Sequence, residues 1–120
     1  MKICITSQGR DLTSPLDPRF GRAAVFVMVD PDTGMVEAVD NSQNLQAAQG
    51  AGIQAAQTVA RAGVKIVVTG HCGPKAFRVL TAAGIKIFNT QASTVGEALE
   101  QYRSGKLSEA RAADVGGHWA

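Results

Sequence analysis

The sequence predicts an α/β domain in three layers, with helices flanking a five-stranded mixed sheet of strand order 3-2-1-4-5 in which strand 2 is antiparallel. Three observations lead there. Short β-branched runs alternate with stretches of helical period. Two of those runs are separated only by Pro31-Asp32-Thr33-Gly34, too little chain for a crossover. The 120 residues suffice for one hydrophobic core, whereas two domains would each be too short to bury one.

The first strand is read from Lys2 to Thr6, a β-branched run ended by Ser7-Gln8-Gly9 and followed by a loop reaching about Arg22. Ala24 to Asp30 and Met35 to Val39 form an antiparallel pair, with Gly34 supplying the positive φ that the turn requires. A polar connector spans Asn41 to Gln49. The first helix runs from Gly50 to Ala62, with Ile53, Ala56, Val59 and Ala60 on its apolar face, and closes at Gly63. Val64 to Thr69 is the fourth strand. Gly70 to Gly73 then turns into a helix with Pro74 in its first turn and Ala76, Phe77, Leu80 and Ala83 facing inward. Ile85 to Phe88 is the fifth strand. Ser93 or Thr94 caps a third helix carrying Val95, Ala98, Leu99 and Tyr102. Residues 1–106 make the domain. Residues 107–120, ending Gly116-Gly117-His118-Trp119-Ala120, lack a period and read as a mobile tail.

Charge and composition exclude several functions. A net charge of +2, without a Lys/Arg run or aromatic platform, argues against nucleic acid as a partner. No apolar stretch is long enough for a membrane span or signal segment, so a cytoplasmic location is expected. Cys4 and Cys72 are the only cysteines, and in a reducing compartment they read as thiols. Cys4, in mid-strand, is expected to be buried and inert. No CxxC or HxxxH spacing is present for a closed zinc or iron–sulfur site.

In the 3-2-1-4-5 order, the chain winds in opposite directions from strands 1 and 4, leaving a crevice beyond their carboxyl ends where ligands usually bind. Its loops, Ser7 to Arg22 and Gly70 to Pro74, carry Arg10, Arg19, Arg22, His71 and Cys72, with Lys75 just beyond. A helix start with glycines at 70 and 73 favours an anion through its N–H groups and dipole. Read without further context, the glycines make a tight turn and the arginines are solvated loop charges.

The segments Asp17-Pro18-Arg19-Phe20-Gly21-Arg22-Ala23 and Gly70-His71-Cys72-Gly73-Pro74-Lys75-Ala76, supported by Gly50 to Ala56, together resemble the dinitrogenase iron–molybdenum cofactor-binding family from about Lys2 to Tyr102. The resemblance implies a ribonuclease-H-like sheet and a non-catalytic role in holding, protecting or delivering an anionic metal–sulfur cluster. For a short, stand-alone chain it implies a molybdenum–copper sulfide cluster held without a covalent anchor, with an iron–molybdenum–sulfur cluster as the alternative. It carries over Arg19, Phe20, Gly21, Gly70, Gly73 and Pro74 as contacts. Cluster-assembly partners, one of them nucleotide-hydrolysing, follow from the same resemblance.

A thiometallate is a polyanion, served by spread positive charge and backbone donors, which Arg10, Arg19, Arg22, Lys75 and the helix start offer. Chemistry alone adds His71 and Cys72, the latter as a metal contact whose place at a helix start lowers a thiol pKa and suits soft copper. His118 and Trp119 either close over the cluster or belong to the tail. Two rival readings stand beside this one. His71-Cys72, then five residues, then Arg78 spells a cysteine-dependent phosphatase signature, although Pro74 removes a loop amide and Val79 replaces the usual hydroxyl. A metal-free interaction module is the other, since a fold hosts many functions.

Overall fold

β1 (Lys2–Ser7), β2 (Val25–Val29), β3 (Val36–Asp40), β4 (Val64–Thr69) and β5 (Lys86–Asn89) form one sheet in the order β3-β2-β1-β4-β5. β2 is antiparallel to β1 and β3, while β4 runs parallel to β1 and β5 parallel to β4. This matches the predicted fold, and the connections explain it. A six-residue turn can only reverse a strand. α1 (Ala51–Arg61) and α2 (Pro74–Ala82) instead carry the chain back to begin β4 and β5 from the same end. α3 (Val95–Arg103) follows β5. The computed structural model describes residues 1–41 and 51–111; most of the expected polar connector, with His118 and Trp119, lies outside the described residues.

The pleat divides the core in two. Cys4, Phe26, Met28 and Val67 face one side, where they meet Ala55, Ala56 and Val59 of α1 and Ala76 and Leu80 of α2. Ile3, Ile5, Val27, Ile66 and Val68 face the other, against Val95, Ala98 and Leu99 of α3. Helices therefore lie on both faces, which is why β1 and β4 read as nearly continuous apolar runs.

Two details of the helices differ from the sequence-based expectation, and a third is decided between two alternatives. The buried stripe of α1 is Ala51, Gly52, Ala55, Ala56 and Val59, with Ile53 and Ala60 only half-buried. The small residues face inward because α1 packs against α2 as well as the sheet, and close approach of two helices selects alanine over a branched side chain. Ala83 is exposed because α2 ends at Ala82. Of the two candidate caps, Thr94 is used: its side chain accepts from Glu97 N at 3.2 Å.

The segment from 107 also differs from a detached tail as far as residue 111. Glu109 forms a β-bridge with Phe88, Ala110 N donates to Ile87 O at 2.7 Å, and Leu107 packs against the α3-side core. These contacts satisfy part of the otherwise unpaired outer edge of β5.

Candidate functional site

The carboxyl ends of β1 and β4 are joined by a network that shapes the site. The buried hydroxyl of Thr6 donates to Asp17 O at 2.6 Å and lies 2.9 Å from Thr69 Oγ1; one proton cannot serve both, so Thr69 donates in return. Asp17 N donates to Thr6 O at 3.1 Å, and Asp17 Oδ1 accepts from Arg19 N at 2.9 Å, folding residues 17–19 into an Asx turn. The chain then pairs with the loop after β4. His71 N donates to Pro18 O at 2.6 Å, Phe20 N donates to His71 O at 3.1 Å, and Arg19 and His71 form a parallel bridge.

This pairing requires glycine at 70. A Cβ there would lie 2.7 Å from Pro18 O and 2.8 Å from Pro18 Cα, inside any tolerable contact with backbone. Phe20 anchors the other loop. It is fully buried, stacks on Phe26 with ring centroids 5.6 Å apart, and packs in the α1/α2-side core. Phe20 is thus a core anchor, correcting the expectation of a ligand contact: a ring that water cannot reach is equally closed to a cluster. Gly21 is also buried.

The structure brings Arg19, His71 and the start of α2 together on one edge. Arg19 is exposed, with its Nε 3.8 Å from Asp17 Oδ1, and His71 is half-buried. Gly73 is the N-cap of α2 in extended conformation with no side-chain cap, Pro74 follows it, and the first turn holds no acid. The Lys75 N–H has no backbone partner within the helix, and the Lys75 side chain is exposed beside it, whereas Ala76 is fully buried. Arg22 is half-buried on the loop leading to β2. Arg10 stands apart: its guanidinium Nη2 donates to Ala38 O of β3 at 3.3 Å, which draws it along the sheet edge and away from the junction.

Cys72 occupies a different environment from the one expected. It is 1% exposed and belongs to the α1/α2-side core, with Sγ 3.7 Å from Gly73 O. Core packing turns this side chain inward and withdraws it from metal contact at the surface. The phosphatase signature gains no support, because the Cys72 thiol is buried in the core where a substrate phosphate does not reach it, while Arg78 is exposed on α2. Cys4 is buried as expected, and burial pushes its thiol pKa far up.

Asp17 is the ionisable group that the sequence reading passed over. Burial raises its pKa, and the Arg19 backbone N–H and guanidinium only partly offset that rise. The Asp-Pro-Arg spacing, a side-chain acceptor two residues before an N–H, was the available signal.

The open concavity also lies elsewhere. Residues 17–20 fill the crevice between β1 and β4, and the cleft of about 620 Å³ opens toward β5. Gly70 and His71 form one wall; Asn89 to Gln91, Gln101 and Lys106 to Ala110 complete it. Asn89 Nδ2 fixes the junction from this side by donating to Gly70 O at 3.1 Å. The outer wall depends on residues 106–110 returning to β5, a long-range contact that no local sequence pattern announces.

Comparison with known proteins gives consistent results. The family model described as dinitrogenase iron-molybdenum cofactor matches residues 1–105. The structure of the apo form of the orange protein from Desulfovibrio gigas superposes with a TM-score of 0.92 at 42% identity, covering 95% of this chain and 96% of that one. A DUF35-family protein from Thermotoga gives 0.80 at 35% identity over 90% and 91% of the two chains. An uncharacterised protein of Methanocaldococcus jannaschii is 28% identical over 97 residues, covering 78% of this chain and 81% of its own.

Proposed function

The chain belongs to the dinitrogenase iron-molybdenum cofactor family, and from that premise we propose that it binds an anionic metal–sulfur cluster as cargo, without catalysis, at the edge shared by Arg19, His71 and the start of α2. The observation that carries this reading is the backbone pairing of residues 18–20 with His71, which sets the exposed Arg19 beside a helix start lacking any side-chain cap. Fixed N–H groups and nearby cations suit a polyanion whose charge is spread over many sulfur atoms.

The residues fit non-covalent holding. Gly70, Gly73 and Pro74 shape the turn that presents the Lys75 N–H, Arg19 and Lys75 supply the exposed charge, and His71 a polar group on the cleft wall. Arg22 adds charge on the adjoining loop, while Phe20 and Gly21 act from beneath by holding that loop. With Cys72 in the core, a thiolate bond to the metal has no part in the reading. A molybdenum–copper sulfide cluster is the finer proposal, and an iron–molybdenum–sulfur cluster the alternative. The setting is a cytoplasmic protein serving cluster-assembly partners, one of them nucleotide-hydrolysing. Among the described residues no helix is long and apolar enough to cross a membrane.

The test is anaerobic incubation of the protein with thiomolybdate, with and without copper, followed by desalting, a visible spectrum and elemental analysis. Protein-bound charge-transfer bands with stoichiometric metal are expected, and an Arg19→Ala, Lys75→Ala variant should retain its fold and lose affinity about tenfold, from two charge-assisted contacts. A colourless, metal-free protein overturns cluster binding and leaves the interaction module.

A further inference from the structure

A second pocket, of about 300 Å³, lies toward the amino ends of β4 and β5, away from the His71 junction. Its apolar part is made by Ile66, Phe88 and Tyr102, all of which pack with the α3-side core. Phe88 and Tyr102 meet edge to face, with ring centroids 5.1 Å apart at 73°, and both remain half-buried. Strand alternation places Lys86 on the same face as Phe88, and Lys65 joins it at the rim. Both lysines are exposed.

Each polar side chain of this pocket carries a donor, two ammonium groups and the Tyr102 hydroxyl. No carboxylate is among its lining residues, and neither lysine nor the Tyr102 hydroxyl has a hydrogen-bond or ion-pair partner among the described residues. The Met1 amino group, also at the rim, is tied to Asp32 at 3.1 Å and adds no uncompensated charge. Two lysines at the rim give the pocket charge of one sign, and a rim of one sign beside an apolar floor favours an anion. A bare inorganic anion would leave the aromatic floor uncovered, and a neutral hydrocarbon would leave the ammonium groups uncompensated. Both demands are met by one molecule that carries a carboxylate on a flat apolar body.

We propose that the pocket formed by Lys65, Lys86, Ile66, Phe88 and Tyr102 binds a small aryl carboxylate, its ring against the Phe88–Tyr102 pair and its carboxylate beside the two lysines. Its volume stands at the small end of ligand pockets, room for about one ring and a short chain. The site is independent of the cluster reading and shares no lining residue with the His71 cleft.

The test is titration of the full chain by ¹H–¹⁵N NMR with 3-phenylpropionate, its neutral analogue 3-phenylpropan-1-ol, and glutarate, which has charge without a ring. Saturable shifts centred on Lys65, Gly84, Phe88 and Tyr102 are expected for phenylpropionate, with a dissociation constant on the order of a millimolar or tighter. The alcohol should bind about fivefold more weakly, and glutarate should not saturate the Phe88 signal. Lys65→Gln with Lys86→Gln, two exposed positions that leave the core intact, should remove the advantage of the carboxylate over the alcohol. Equal affinity for carboxylate and alcohol, an unaltered preference in the double variant, or shifts that map elsewhere or fail to saturate would overturn the proposal.

Discussion

The β2–β3 hairpin and the β1–β4 junction are built by opposite means. In the hairpin the turn itself is set within six residues: Asp30 Oδ1 accepts from Asp32 N at 2.9 Å, Gly34 N donates to Asp30 O at 2.7 Å, and Gly34 takes φ +78°. β3 then lies at the sheet edge, with Val36 44% accessible and Met35, just before it, 71%. At the junction, Thr6, Asp17 and Pro18 meet Thr69, Gly70 and His71 across more than fifty residues of sequence, and the contacts are mostly backbone or fully buried. A local device tolerates change in its surroundings. A long-range interlock transmits each change to every loop it holds, which suits the cluster site proposed above.

The comparison can be broken most severely at Phe20. Phe20→Ala should cost about 3–5 kcal/mol, because it removes a fully buried ring stacked on Phe26; urea unfolding measures the loss, and a change below 1 kcal/mol would deny the anchor role. Gly70→Ala should follow at about 1–3 kcal/mol, since the new methyl meets Pro18 backbone. Its signature is additional: the His71 amide, now bonded to Pro18 O, should exchange with deuterium faster than the β4 amides. Gly34→Ala, with open space around the new methyl but a left-handed backbone, should cost about 1 kcal/mol and leave junction amides untouched.

The smallest effect, and the sharpest, concerns pH. Burial raises the Asp17 pKa, so its carboxyl binds a proton more tightly in the folded than in the unfolded chain. Its contribution is therefore fully present below the unfolded carboxylate pKa and is lost as pH rises through the higher folded value. Asp17→Asn keeps an acceptor for Arg19 N and should abolish that decline. Subtracting the two stability profiles isolates Asp17 from the other carboxylates, and a difference that is flat with pH, or of opposite slope, would show that its charge is not held at a cost.

Sheet order was legible because each connection declares its own geometry: a turn reverses, a helix crosses over, and an apolar run is buried on both faces. The candidate site was legible as a pair of loops, since glycine and proline at a strand-to-helix turn are local signals. Arg19, His71 and the start of α2 do meet, but Arg10 is claimed by the Ala38 carbonyl, and Phe20 and Cys72 turn into the core. A residue type states what a side chain is able to do; the direction it faces depends on packing against residues far away in sequence.

The sequence by itself determined the elements, their order and the strand-to-helix turn at the start of α2, because these follow from periodicity, chain length and backbone chemistry within a few residues. Only the tertiary structure decided which loop residues stay at the surface, that the β1–β4 crevice is filled by residues 17–20, and that the open cleft is walled by residues 106–110. Those outcomes rest on contacts between distant segments competing for the same space, and that competition is resolved only when the whole chain has packed.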